Sequence, residues 1–139
     1  MHISVVTVYV NDVKRALDFY TNTLGFKVVT DAAMGEDHRW LTVVPPGEKT
    51  QILLCKNFAG WSTDKVGQDT GYIVEVDDVF KTHEQWKARG VQFEDEPSME
   101  FFGGWARFKD SEGNVFGLHS PARQSATGSN SQPSASQSQ

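Results

Sequence analysis

The sequence predicts an α+β fold made of two modules of one design, each a strand, a helix and three further strands. Three observations carry this. Residues Ser4 to Val29, SVVTVYVNDVKRALDFYTNTLGFKVV, read as strand, capped helix, glycine stop and strand. The same grammar returns in Tyr72 to Phe93, YIVEVDDVFKTHEQWKARGVQF: Val10-Asn11-Asp12-Val13 matches Val76-Asp77-Asp78-Val79 at an offset of 66 residues, and Gly25 matches Gly90 at an offset of 65. Beyond each helix the chain alternates apolar and polar residues with the period of a strand. A pattern that recurs at fixed spacing indicates a duplicated module.

The elements follow in order. Val6, Val8 and Val10 alternate with Val5, Thr7 and Tyr9, so the first strand has two unlike faces. Asn11 or Asp12 caps the next helix, since a short side-chain oxygen accepts from its free N–H groups. Val13, Ala16, Leu17, Tyr20 and Leu24 form the helix's apolar stripe, and Gly25 supplies the left-handed stop. Phe26–Thr30 is a strand, residues 31–37 around Met34-Gly35 a turn or loop, and His38–Val44 a third strand. Pro45-Pro46-Gly47 is a turn, and Thr50–Lys56 closes module one, residues 1–57. Residues 58–69 are a Gly/Ser/Thr/Asp linker around Trp61.

Module two, residues 70–121, repeats the order: strand to Asp77, helix Val79–Ala88, then strands Val91–Asp95, Glu100–Lys109 and Asn114–His119. The helices should bury Leu17, Tyr20 and Trp86. Asp110-Ser111-Glu112-Gly113 is the last hairpin turn. Residues 122–139 turn to Ser, Gln, Asn, Gly and Ala, a composition expected to stay disordered.

Composition narrows the function. A net charge of −5 argues against nucleic acid, which asks for a basic footprint. The lone Cys55 excludes an internal disulfide and fits a reducing compartment. No apolar run reaches membrane-spanning length, and Met1-His2 opens directly into the first strand. A cytoplasmic protein with no membrane partner is expected.

In V-Y-V-N-D-V-x-x-A-x-x-F-Y-x-x-x-L-G-F from Val8, V-D-D-V from Val76 and K-D-S-E-G-N-V-F-G-L from Lys109, the chain resembles the vicinal-oxygen-chelate superfamily, that of glyoxalase I, bleomycin-resistance proteins and extradiol dioxygenases. The resemblance covers roughly residues 3–121. It implies two βαβββ modules forming curled mixed sheets around a concave cavity, with the helices outside. It also implies a homodimer, because many members of this size share their concavities between two copies. Fold does not set reaction, and that superfamily hosts many.

Strand alternation sorts the side chains. Val6, Val8, Val10, Leu41, Val43, Ile52, Leu54, Val74, Ala106, Phe108, Phe116 and Leu118 fall on the face expected beneath the helices. The other face carries Tyr9, Trp40, Gln51, Glu75, Trp105, Arg107 and His119, a half-polar surface suited to a small molecule. A dimer interface mixes the same residue types. Phe101 and Phe102 lead into Trp105 across Gly103-Gly104 and join the expected ligand contacts. Flat rings at Trp40 and Trp105 suit an aromatic or cationic ligand sandwiched between them, and Glu36, Asp37, Glu94, Asp95, Glu96 and Glu100 would concentrate a cation. Arg107 would instead hold a carboxylate or pair with Glu75. His83 reads as a partly buried helix residue, and Cys55 as a small buried hydrophobe.

The resemblance places its four metal ligands at Val5, Leu53, Gly71 and Gly117, none of which has a donor for a divalent ion. No metal or other cofactor is therefore expected. A centre moved to Glu75, His119 and Cys55 would have to shift by about 6–7 Å or more along its strands. No phosphate loop, His-Glu-x-x-His or G-x-S-x-G motif occurs. Three readings stand. The balance favours a non-enzymatic protein like the bleomycin-resistance branch that binds or sequesters a drug or metabolite, with antibiotic resistance as its outcome. The alternative is a lyase, isomerase or dioxygenase with a relocated metal or acid–base site at Glu75 and His119. The third is an interaction module whose concave face takes a partner chain.

Overall fold

The computed structural model describes residues 1–35 and 38–122. The first sheet holds β1 (Val5–Tyr9), β2 (Lys27–Gly35), β3 (His38–Val44) and β4 (Gln51–Cys55), ordered β1-β4-β3-β2. The second holds β5 (Asp69–Glu75), β6 (Gln92–Phe93), β8 (Gly103–Lys109) and β9 (Val115–Ser120), ordered β5-β9-β8-β6, with the short β7 (Ser98–Glu100) pairing to β8. Each sheet thus reads first strand, fourth, third, second. In each the first and fourth strands are parallel and the others antiparallel. This is the mixed α+β arrangement the sequence predicts.

The helices α1 (Val13–Asp18) and α2 (Val79–Ala88) begin alike. Asp12 accepts from the Arg15 amide, and Asp78 accepts from those of Phe80 and Lys81. Of the two cap residues open on sequence, Asp12 is the one used. Past Asp18 the first helix widens into a π-wound turn, Phe19–Thr23, which carries Tyr20 fully into the core. Tyr20 meets Phe26 and Phe116 at 5.8 and 6.3 Å between ring centroids. Trp86 on α2 is buried edge-on against Phe108, which stacks on Phe116. Val8, Val10, Leu41, Val43, Ile52, Leu54, Ala106, Phe108, Phe116 and Leu118 share this core with both helices, and Leu17 packs against it half-buried.

The modules are joined by polar bonds as well as by packing. Tyr20 donates its hydroxyl hydrogen to Asp110 at 2.6 Å, and Asn114 donates to Asp110 and to the Tyr9 carbonyl. Burial raises both the Asp110 carboxyl and the Tyr20 phenol above their ordinary ranges. Glu112 reaches back across the chain. It accepts from the amides of Asn11 and Asp12 at the start of α1 and from the Arg15 guanidinium.

Three expectations need correction. Residues 31–35 are not a loop: β2 runs on to Gly35, pairing Asp31 with Leu41, Ala32 with Trp40 and Ala33 with Arg39. Two alanines and an aspartate have little strand propensity of their own, but the ladder and the Arg39–Asp31 ion pair at 2.7 Å supply the order. The expected strand Val91–Asp95 is reduced to Gln92–Phe93. The expected strand Glu100–Lys109 is interrupted, with Phe101 and Phe102 forming the turn between β7 and β8. Residues 36 and 37, and the tail from 123 on, lie outside the described residues.

Candidate functional site

On the face of the second sheet away from the helices, the ladder sets two rows side by side. One runs Glu75, His119, Trp105, Ser98 across β5, β9, β8 and β7. The next runs Ile73, Gly117, Arg107. His119 lies between two acceptors: its Nδ1 is 2.6 Å from Glu75 Oε1, and its Nε2 is 2.7 Å from the Phe102 carbonyl oxygen. The Phe102 carbonyl first, and Glu75 second, hold the His119 imidazolium above the ordinary imidazole range. The Phe102 ring stacks on His119 and meets Trp105 edge-on at 5.7 Å. Trp105 in turn lies over Gly117, where an added methyl would run into the indole and into Ile73. Ile73 is 59% exposed and Phe102 43%, so the aromatic surface is open. Phe101, 95% exposed, stands at the tip and touches Phe102 only by its edge. Arg107 gives its charge to Asp95 at 2.9 Å, not to Glu75.

The matching face of the first sheet is closed. Register places Tyr9 opposite Cys55, as Glu75 is opposite His119, and sets Leu53 between Thr7 on β1 and Thr42 on β3. Residues 57–60 fold onto it, with Asn57 and Ala59 at φ 71° and 51°. Tyr9 donates to the Ala59 carbonyl at 2.5 Å and the Cys55 thiol to that of Phe58. The Phe58 ring contacts His38 and Trp40. Leu53, Cys55 and Thr42 are buried, and burial pushes the Cys55 thiol up. Gln51, opposite Val5, is half-buried at the strand's start.

Among the described residues, the two clefts between the sheets do not join the Trp40 face to the Trp105 face. A cleft of about 520 Å³ places Val6 and Ile52, from the helix side of the first sheet, beside Ile73 and Glu75 of the second. Another, of about 290 Å³, places Thr7 and Tyr9 beside Tyr72, whose hydroxyl donates to the Thr7 carbonyl and whose ring packs on Phe116. The sheets are therefore stepped. The structure unites Glu75, Phe102, Trp105 and His119. Trp40 and Tyr9 belong to the other surface. Phe58, inside the expected linker, was not legible as a site residue, because nothing in its neighbours marks it as a plug.

The positions at which the resemblance implies a metal do not fit one. Val5, Leu53, Gly71 and Gly117 present no side-chain donor, Leu53 is buried, and the Trp105 ring covers Gly117. A displaced centre fares no better, since both ring nitrogens of His119 already face hydrogen-bond acceptors and Cys55 lies on the other sheet.

Comparison with known proteins agrees with this architecture. The chain is 34% identical over 114 residues to the uncharacterized protein YetH of Bacillus subtilis (strain 168), covering 82% of this chain and 93% of that one. A lactoylglutathione lyase of Neisseria meningitidis is 32% identical over 84 residues, 58% of this chain and 61% of the enzyme. Among solved structures, TnmS3, an antibiotic binding protein from Streptomyces sp. CB03234, superposes with a TM-score of 0.76 at 34% identity, covering 88% of this chain and 97% of that one. Residues 2–118 match the Glyoxalase/Bleomycin resistance protein/Dioxygenase superfamily, and the chain belongs to that family.

Proposed function

We propose that the protein binds a flat aromatic small molecule, neutral or cationic, on the face around Trp105, without a metal and without transforming it. The observation that carries this reading is the open apolar surface of Phe102, Trp105 and Ile73, two rings and an aliphatic side chain, built over a glycine where the family's metal chemistry would need a donor. Stacking and cation–π attraction contribute roughly 0.5–2 kcal/mol each on such rings. The fixed charges nearby are already paired, Arg107 with Asp95 and His119 with Glu75, which leaves the second oxygen of Glu75 for a donor on the ligand. The likeness to an antibiotic binding protein supports a drug-like ligand, and hence sequestration as a route to resistance. The free Cys55 fits a reducing compartment, the cytoplasm. Among the described residues, no helix is long and apolar enough to cross a membrane.

The stepped sheets favour a homodimer as the working unit. The edges of β1 and β5 lie at the ends of their sheets. A second copy across a two-fold axis would set Trp40 and the Phe58 ring that covers it opposite the Trp105 face of the other, so that Phe58 stands on the Trp40 side of the expected sandwich. An acid–base enzyme is the second reading, favoured by the 2.6 Å Glu75–His119 contact. It requires His119 to leave the Phe102 carbonyl before its Nε2 can serve a substrate, with Nδ1 held by Glu75.

Tryptophan fluorescence titrations with ethidium, a planar cation, and anilinonaphthalene sulfonate, a planar anion, test the reading. Trp105→Ala should abolish saturable binding of ethidium, which the wild type should bind more tightly than the anion. Binding of ethidium by a folded Trp105→Ala protein as tightly as by the wild type would place the pocket elsewhere. Light scattering at tens of micromolar separates the dimer from a monomer.

A further inference from the structure

His119 has an arrangement that ligand stacking alone does not require. Its two partners, a carboxylate and a backbone carbonyl, are both acceptors. A neutral imidazole has one N–H and one lone pair, so it can satisfy only one of them. Both contacts are made together only by the doubly protonated ring. One end of this bridge is β5, through Glu75. The other is the β7–β8 turn, through the carbonyl of Phe102, whose side chain forms the edge-on wall against Trp105. The backbone is fitted closely here: Gly103 stands at φ 123°, and a methyl on it would meet the Ser120 carbonyl and, at 2.8 Å, His119 Nε2.

We propose that His119 is a positioning residue for the aromatic surface: its imidazolium ties β5 to the β7–β8 turn and holds the Phe102 ring against Trp105, so the wall keeps its shape only while both ring nitrogens carry protons. Loss of one proton releases either Glu75 or the Phe102 carbonyl. The carboxylate makes the stronger, charge-assisted bond, so the carbonyl lets go and the turn is left with its ladder pairing of Glu100 to Gly103. The other charged groups on the packed elements are committed elsewhere. On β5, Asp69 accepts from the Gly71 amide; on β8, Arg107 is paired with Asp95 and Lys109 lies by Glu94; on β7, Glu100 accepts from Ser98. Among the described residues, Glu75 on β5 is the acidic side chain in contact with the ring.

The consequence for binding rests on the reading that the Trp105 surface receives the ligand, but the test uses the free full-length chain and survives the failure of that reading. Nitrogen-15 spectra of the imidazoles and indoles, recorded from about pH 5 to pH 9 across the range in which histidine changes charge, give both quantities in one sample. His119→Gln and Trp105→Phe assign the signals. The His119 nitrogens should titrate above the ordinary imidazole value, and the Trp105 indole signal should move with the same midpoint. Glu75→Gln should lower both midpoints together. His119→Gln should leave the Trp105 signal without that transition. If the Gln variant does not fold, the joint displacement in Glu75→Gln decides. A Trp105 signal that stays still while His119 titrates overturns the proposal, as does a His119 that titrates at or below the ordinary value.

Discussion

The two concave faces descend from one backbone plan and have opposite fates. Trp40 and Trp105 lie on equivalent strands, β3 and β8, and the pair Tyr9–Cys55 stands where Glu75–His119 stands in the second sheet. On the first face, residues 57–60 cover the pair with carbonyls and the Phe58 ring, and the thiol is sealed from water. On the second, the corresponding carbonyl comes from the Phe102 turn, which grips one edge and leaves Ile73 and Phe102 exposed and Trp105 half-buried. The lesson is that side-chain alternation assigns a residue to a face but does not say whether that face is open. A few loop residues make that decision.

The comparison breaks most severely at Gly103. Its φ of 123° and the close approach of Ser120 leave no room for a side chain. Backbone strain alone costs about 1–3 kcal/mol, so Gly103→Ala should lower the urea midpoint and abolish the Phe102–His119 contact. Cys55 should remain protected in the same variant, since the first face does not depend on that turn.

Tyr20→Phe attacks the joint between the modules. It removes the hydroxyl that donates to Asp110 inside the core, a loss expected to cost about 1–3 kcal/mol in denaturant unfolding. Unequal unfolding of the two sheets, followed by separate tryptophan probes, would show how far this bond makes them one cooperative unit.

Gly117→Ala sharpens the contrast on the open side. The methyl would force the Trp105 ring off the sheet, changing its fluorescence while leaving stability within about 1–2 kcal/mol of the wild type. On the closed side, Phe58→Ala should raise the rate of Cys55 alkylation by at least tenfold, because the same cover hides the thiol and, by burial, pushes it up. Equal rates in both proteins would mean that something other than the 57–60 loop seals the face.

The smallest expected effect is on pH dependence. His119 has its folded value raised, so its contribution to stability is complete below the ordinary imidazole value and fades as pH rises through the higher folded value. The decline should vanish in His119→Gln. Wild-type and variant midpoints measured on either side of that window check the sign.

Much of the fold was legible because its signals are local. Asp12 and Asp78 cap by reaching two or three residues ahead, and Gly25 and Gly90 follow the helices they terminate. The duplication, the core faces, the placement of Tyr20 and Trp86, and the residue set of the second face all follow from spacing along one strand or helix turn. What the tertiary structure decided involves partners far apart in sequence. Residues 31–35 became strand through cross-strand pairing, which their own propensities do not reveal. Glu112 reached α1 across 97 residues to Arg15, and Arg107 chose Asp95 over Glu75. The plugging of the first face by Phe58 and the step that parts Trp40 from Trp105 depend on loop path and sheet packing. Alternation carries neither, because it records only which side of its own strand a side chain leaves.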